Sequence, residues 1–272
     1  MHDMTAQAVG DAARLLADLR LREAGRVEPL QCLPAACRPR TLDDAYAIQS
    51  AVSECLSRRS PGPTVGWKIG CTTRVMQQYL GIEHPCAGRL YRAGVHSPWV
   101  TLDVKAYFQL GLECEIAVRL GADCPPRRAG YRASQMSDRV EALMVSIEIV
   151  EHRFRDFAEA GAPSLIADDF FSAGCVHGEP VPLSDVGDPS VLSGGFWVDG
   201  EPPKLRGSAR EILDDPMNAL AWLADHGAAH GTPLRAGEIV TLGSVVKTVY
   251  PDAGTTLVAR FEDLPEACVR LR

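Results

Sequence analysis

An α+β fold is predicted by three features of this 272-residue chain. Apolar residues recur at helical spacing before residue 60, they fall into short runs broken by Gly and Pro from Pro61 onward, and regular strand–helix–strand alternation is missing. The first feature predicts a helical segment over 1–60, the second a β-rich catalytic domain over 61–272. With the third goes the lack of G-x-G-x-x-G and G-x-x-x-x-G-K-[ST], which argues against a nucleotide-binding sheet.

In chain order, Leu15, Leu16 and Leu19 form the stripe of a first helix. Pro29, Pro34 and Pro39 punctuate a linker predicted to run extended over the surface. Leu42, Ala45, Ile48, Val52 and Leu56 mark a second helix, with Thr41 as its N-cap and Asp43 and Asp44 in the first turn, where they favour the helix dipole. Strands are predicted over 65–69, 112–120, 144–150, 195–198, 238–242, 244–249 and 256–261. Asp199-Gly200 is a hairpin turn signal. One helix interrupts the strands: Asp215 caps it, Pro216 opens it, Met217, Leu220, Ala221 and Leu223 supply its apolar stripe, and Gly227 is expected to end it.

Composition narrows the function. A hydrophobic share of 46% with 23% charged residues is that of an ordinary folded protein. The 28 Lys+Arg are outnumbered by 35 Asp+Glu and form no basic stripe, so nucleic acid and an anionic membrane are poor partners and a small molecule is the better one. Asp3, Asp11, Arg14 and Asp18 break up any apolar leader, and no run approaches the roughly 20 apolar residues of a membrane span. Nine scattered cysteines without a C-x-x-C read as reduced thiols, and the expected location is the cytoplasm. H-E-x-x-H and G-x-S-x-G are absent, which argues against a zinc protease and the common serine hydrolases.

The chemistry-bearing residues are acidic. On a strand, Leu112-Glu113-Cys114-Glu115-Ile116 sends both carboxylates out of one face. Two readings stay open: a solvated acidic face, or a pocket in which like charges call for a cation. Glu148 lies inside the apolar run 143–150, where an unpaired charge is costly, so it needs either an arginine or a metal. Three carboxylates without a matching His or Cys cluster suit a hard, oxygen-loving ion such as Mg²⁺ or Mn²⁺ better than zinc. Lys68 shares a strand face with Gly66 and Gly70, whose missing side chains would leave room for a ligand; an edge-strand lysine is the alternative.

Four segments together resemble a known family. They are Gly66-Trp67-Lys68-Ile69-Gly70-Cys71-Thr72 with Met76-Gln77-Gln78-Tyr79-Leu80-Gly81, Glu113-Cys114-Glu115-Ile116-Ala117, Ile147-Glu148-Ile149-Val150-Glu151, and Pro216-Met217-Asn218-Ala219-Leu220-Ala221-Trp222-Leu223. In order and approximate spacing they are similar to the 2-keto-4-pentenoate hydratase family of the fumarylacetoacetate hydrolase-like superfamily. The resemblance implies a mixed β-roll with peripheral helices and a divalent-metal site. Carried over, the metal ligands are Glu113, Glu115 and Glu148, and the pocket lysine is Lys68. Asp168 and Asp169 are expected to position water, and Arg74, Ser172 and Ser244 to bind substrate; Arg153 is a further candidate for a substrate carboxylate.

The implied reaction adds water to a 2-hydroxy-2,4-dienoate, by way of its 2-oxo-enoate, and yields a 4-hydroxy-2-oxo acid in the catabolism of aromatic compounds. The same chemistry serves a 4-oxalocrotonate-type decarboxylase or an acylpyruvate-type C–C hydrolase, the last favoured by a lid His–Glu pair, for which Glu83-His84 is taken as the only adjacent candidate. A non-catalytic partner subunit of the same fold is the alternative from another class. A homo-oligomer is expected, with the N-terminal helices near an interface or a neighbouring active site.

Overall fold

The computed structural model describes residues 4–22, 28–203, 206–262 and 264–272; Asp3, one of the charges read against a leader, lies outside them. The chain opens with α1 (Ala6–Arg20) and α2 (Leu42–Ser57), then β1 (Thr64–Gly70), α3 (Arg74–Leu80), β2 (Cys86–Tyr91), β3 (Val95–His96) and β4 (Trp99–Leu102). Its centre is β5 (Leu110–Leu120), α4 (Ala133–Met136), β6 (Val140–Glu151), α5 (Phe157–Ala167), β7 (Ser172–His177), β8 (Val181–Pro182) and α6 (Leu183–Val186). It closes with β9 (Ser193–Val198), β10 (Gly207–Ser208), α7 (Pro216–Ala229), β11 (Ile239–Ser244), β12 (Thr256–Phe261) and β13 (Ala267–Leu271).

Two sheets result. The larger runs β2-β1-β11-β5-β6-β7-β3, with β8 also on β6, and the smaller runs β10-β9-β12-β13-β4. The antiparallel pair β5–β6 is the spine, in register from Leu110↔Glu151 to Val118↔Leu143. The smaller sheet packs against it, for β12 and β13 lie on β6. Covered on both faces, β6 reads as the near-continuous apolar run seen in the sequence.

Local chemistry sets the other elements. Thr41 and Asp44 form a reciprocal capping box at the start of α2, and Thr5 caps α1. Leu16 and Ala17 of α1 and Ile48, Val52 and Leu56 of α2 enter the same hydrophobic core as the strands. Asp199 and Gly200 both take positive φ, as a two-residue hairpin turn requires. No helix among the described residues is long and apolar enough to cross a membrane.

Three local expectations are corrected. The 29–39 linker is not a surface strap: Leu30 bridges Phe154 through backbone hydrogen bonds to Arg153 and Arg155, and Leu33 is fully buried. Gly227 lies within α7 rather than ending it, because its bare Cα lets the Thr232 carbonyl close in where a Cβ would sit 2.6 Å away. The strand predicted over 244–249 does not form. There β11 ends at Ser244, whose hydroxyl donates to the Val246 carbonyl at 2.6 Å; Val245 N still donates to the Cys114 carbonyl at 3.0 Å, and the chain then leaves the sheet until Val249 re-pairs with Leu112.

Candidate metal centre

Strand register assembles the site. Glu113 stands directly opposite Glu148, and Glu115 opposite Ser146, so the period of two aims all three carboxylates at one face of the β5–β6 pair. On the other side of β5, Thr241 pairs with Ala117, and beyond it Lys68 of β1 pairs with Thr241, which brings the lysine to that face. One oxygen of each of Glu113, Glu115 and Glu148 lies within 4.8 Å of the others. Lys68 Nζ is 3.0 Å from Glu148 Oε1, too poorly aligned for a good hydrogen bond.

The electrostatics are strained in one direction. Burial pushes Glu148 up to about 7 against the pull of Lys68. Burial, reinforced by Glu148 and Glu113, raises Glu115 well above the carboxylate range. Burial would lower Lys68, but the three carboxylates outweigh it and hold the ammonium above its ordinary value. Both oxygens of Glu115 and of Glu148 are buried without a hydrogen-bond partner among the described residues. Three carboxylates that share one ammonium and leave Glu115 and the second Glu148 oxygen without a partner are a donor set that fits a hard divalent cation such as Mg²⁺ or Mn²⁺.

The remaining candidates divide. Ser244 pairs with Glu115 in the ladder, close to the cluster, although its hydroxyl is engaged by the Cys114 and Val246 carbonyls. Arg74 is exposed at the first position of α3. Asp168 and Asp169 do not turn their carboxylates toward the glutamates. Arg20 reaches Asp168 at 2.8 Å and Asp169 at 2.7 Å, Arg153 reaches Asp168 at 2.6 Å, and Tyr91 donates to Asp169 at 3.1 Å. Arg153 is thereby committed inside the core, where it also holds Glu151 and donates to the Ser172 carbonyl. Ser172 lines a separate cavity of about 290 Å³ with Arg20, Tyr91 and Glu151. His84 of the proposed lid pair instead stacks on Trp222.

The space above Lys68 is not open as the glycines suggested. A Cβ on Gly66 would strike the Ile239 carbonyl at 1.9 Å, so that position serves the β1–β11 contact. At Gly70 the volume is taken by the Phe170 ring, 2.5 Å from where a Cβ would stand and 5.1 Å, at its centroid, from Lys68 Nζ.

Residues 91–272 match the model for the C-terminal domain of fumarylacetoacetate (FAA) hydrolase. The chain is 33% identical over 247 residues to a 2-keto-4-pentenoate hydratase of Paraburkholderia phymatum, covering 90% of this chain and 92% of that one. A second such hydratase, from Burkholderia vietnamiensis, is 32% identical over 250 residues with the same coverage. The chain belongs to the 2-keto-4-pentenoate hydratase family of the FAA hydrolase superfamily. Its fold is also that of a solved 4-oxalocrotonate decarboxylase from Pseudomonas putida, complexed with magnesium and adipate: TM-score 0.90, 100% of both chains covered, 20% identity.

Within this hydratase-family chain the structure adds site residues that the sequence reading passed over. Thr248 donates its hydroxyl to Glu113, because the 246–248 excursion from the sheet stands opposite that residue. Thr241 is buried on the glutamate face, and its neighbour Leu242 faces the other way. Glu151-His152, a second adjacent Glu–His pair, puts His152 Nε2 2.9 Å from the Tyr250 hydroxyl. A repeated Glu–His dipeptide was the available signal for His152; for Thr248 there was none.

Proposed function

We propose that the chain is a divalent-metal-dependent hydratase that converts a 2-hydroxy-2,4-dienoate, as its 2-oxo-enoate, to a 4-hydroxy-2-oxo acid in the breakdown of aromatic compounds. The observation that carries this reading is the convergence of Glu113, Glu115 and Glu148 with Lys68 on one buried face. Bound by the glutamates, Mg²⁺ or Mn²⁺ would supply a Lewis acid that stabilises charge developing on the 2-oxo acid end of the substrate. The protein supplies the rest. Glu113 is oriented by Thr248. Lys68, the ammonium on that face, moves a proton at substrate carbon. Asp168 and Asp169 act at one remove, since their arginine partners fix the turn that sets Phe170 over Lys68.

A decarboxylase reading is kept second because of the full-length likeness to the decarboxylase fold. Following absorbance with a panel of 2-hydroxydienoates, 4-oxalocrotonate-type diacids and acylpyruvates, with and without Mg²⁺, and identifying the products, separates hydration, decarboxylation and C–C cleavage. Hydration of a dienoate that stops on chelation is the expected result; turnover of none of the panel would overturn the proposal. In calorimetric titration the Glu113→Gln/Glu115→Gln variant should show no saturable Mg²⁺ or Mn²⁺ binding, and unchanged affinity would remove the glutamates from the metal site. The functional unit in this reading is a cytoplasmic homo-oligomer. Its support is that α3 buries none of its residues and leaves Val75, Met76 and Tyr79 exposed, and that all nine thiols are free. A monomeric mass by light scattering at micromolar concentration would contradict the assembly.

A further inference from the structure

Beyond the glutamates, the wall of the site is aromatic. Glu148, Val150 and His152 share a face, as do Glu113, Gly111 and Gln109 opposite them, and the ladder carries on past β6 with His152 N donating to the Gln109 carbonyl. At about 3.3 Å per residue, Gly111 and Val150 lie about 7 Å along the strands from the carboxylates and His152 about 13 Å. A six- to eight-carbon chain with its 2-oxo acid end at the carboxylates carries its tail past Gly111 and Val150, and an aryl group on that tail continues toward His152. Over Gly111, where a side chain would otherwise stand, lie Thr248 and the Tyr250 ring, 2.8 and 3.1 Å from the Cβ position.

From there the rings are continuous. His152 is 5.6 Å from Tyr250, 5.0 Å from Phe171 and 5.7 Å from Phe157, and its Nε2 meets the Tyr250 hydroxyl at 2.9 Å. Phe171 is 5.1 Å from Phe170, which covers Lys68, and Phe157 is 5.9 Å from Tyr79 of α3. Tyr250 is 50% exposed and Tyr79 58%, so these two rings at the ends of the run are not spent on the core. Neither His152 nor the arginine beside it is a free cation for a substrate's far end. Burial and Arg153 hold His152 below the usual histidine range, and Arg153 itself is tied to Glu151 and Asp168.

We propose that His152 and Tyr250, backed by Phe157 and Phe171, read the far end of the substrate and select a planar apolar substituent, an alkenyl or aryl tail, over a carboxylate. The inference rests on the hydratase reading for the near end of the substrate only. It favours that reading over decarboxylation of a diacid, which would bring a carboxylate to this wall. The hydrogen bond fixes the two rings as one surface, so His152 is a positioning residue for Tyr250 as well as a part of the wall.

The test uses binding, so that it does not depend on turnover. The full chain loaded with Mg²⁺ is titrated calorimetrically with pyruvate, 2-oxo-6-phenylhexanoate and 2-oxoheptanedioate. The phenyl acid should bind at least about tenfold more tightly than pyruvate, from burial of its ring, and the diacid should gain little over pyruvate. Tyr250→Val and His152→Ala should each bring the phenyl-to-pyruvate ratio to within about threefold, with Tyr250→Phe between them and wild type. If His152→Ala does not fold, Tyr250→Val at its half-exposed position reads the same ratio. A ratio unchanged in Tyr250→Val, or a diacid that binds wild type best, overturns the proposal. A ratio that falls as stated in a protein that hydrates no dienoate leaves the wall standing and removes the hydratase; no binding of any 2-oxo acid overturns both.

Discussion

Lys68 separates two roles that a buried ammonium among carboxylates can play, because it stands 3.0 Å from Glu148 yet offers no atom to a metal. Met at this position keeps most of the stem's volume and removes charge and donor, so metal binding should survive the substitution. If Lys68 moves a proton in the slow step, kcat should fall by about 10²-fold or more; if it only steadies the bound acid, KM should rise while kcat holds. Steady-state kinetics with parallel metal titration decides, and wild-type values for both constants would take Lys68 out of the site. Glu148 stood out beforehand as a charge inside an apolar run, whereas Glu113, Glu115 and Lys68 were each open to a plain surface reading and joined it only through the family resemblance. The roles of Asp168 and Asp169 were not legible. Their partner Arg20 lies 148 and 149 residues away, and nothing in the dipeptide shows which cation will claim it.

Among the elements, the turn after α5 carries the clearest constraint. Asp169, Phe170 and Phe171 all take positive φ, an uncommon conformation for side chains of this size. Buried ion pairs hold the turn: Arg20 and Arg153 both close on Asp168, and Arg89 N donates to Asp169 at 3.0 Å. Asp168→Asn leaves two buried guanidiniums short of a carboxylate, so equilibrium unfolding should show a loss of about 3–5 kcal/mol. Because the same turn seats Phe170 on Lys68, kcat should fall even at temperatures where the variant is folded. A variant as stable and active as wild type would show that the turn is held by other contacts. Sequence periodicity reached the paired strands β5 and β6, but it could not see that the apolar run 244–249 would leave the ladder. Alternating residues look the same whether they pair or arch over a carboxylate, and here the Ser244 hydroxyl turns the chain out of the sheet.

On the scale of the molecule, the fold keeps three carboxylates and one ammonium on the buried face of its central strand pair, an arrangement that favours function over stability. Glu148 has a folded value of about 7 against an ordinary 4.5. With the native state holding the extra proton, this group stabilises the metal-free protein at low pH and that contribution is lost as pH rises from about 4.5 to 7. A divalent cation needs the same carboxylates deprotonated, so its affinity moves the other way and improves over the same window. At one hundred times its dissociation constant a ligand specific for the native state adds about 2.7 kcal/mol, worth about 5–10 °C in Tm for a chain of this size. Thermal unfolding with Mg²⁺ and with chelator should therefore give a larger Tm difference at pH 8 than at pH 5.5. Glu148→Gln should weaken both the pH dependence of the metal-free protein and its response to Mg²⁺. An equal metal-induced shift at the two pH values would mean that the ion is held by groups already ionised at pH 5.5, and would move the metal away from Glu148.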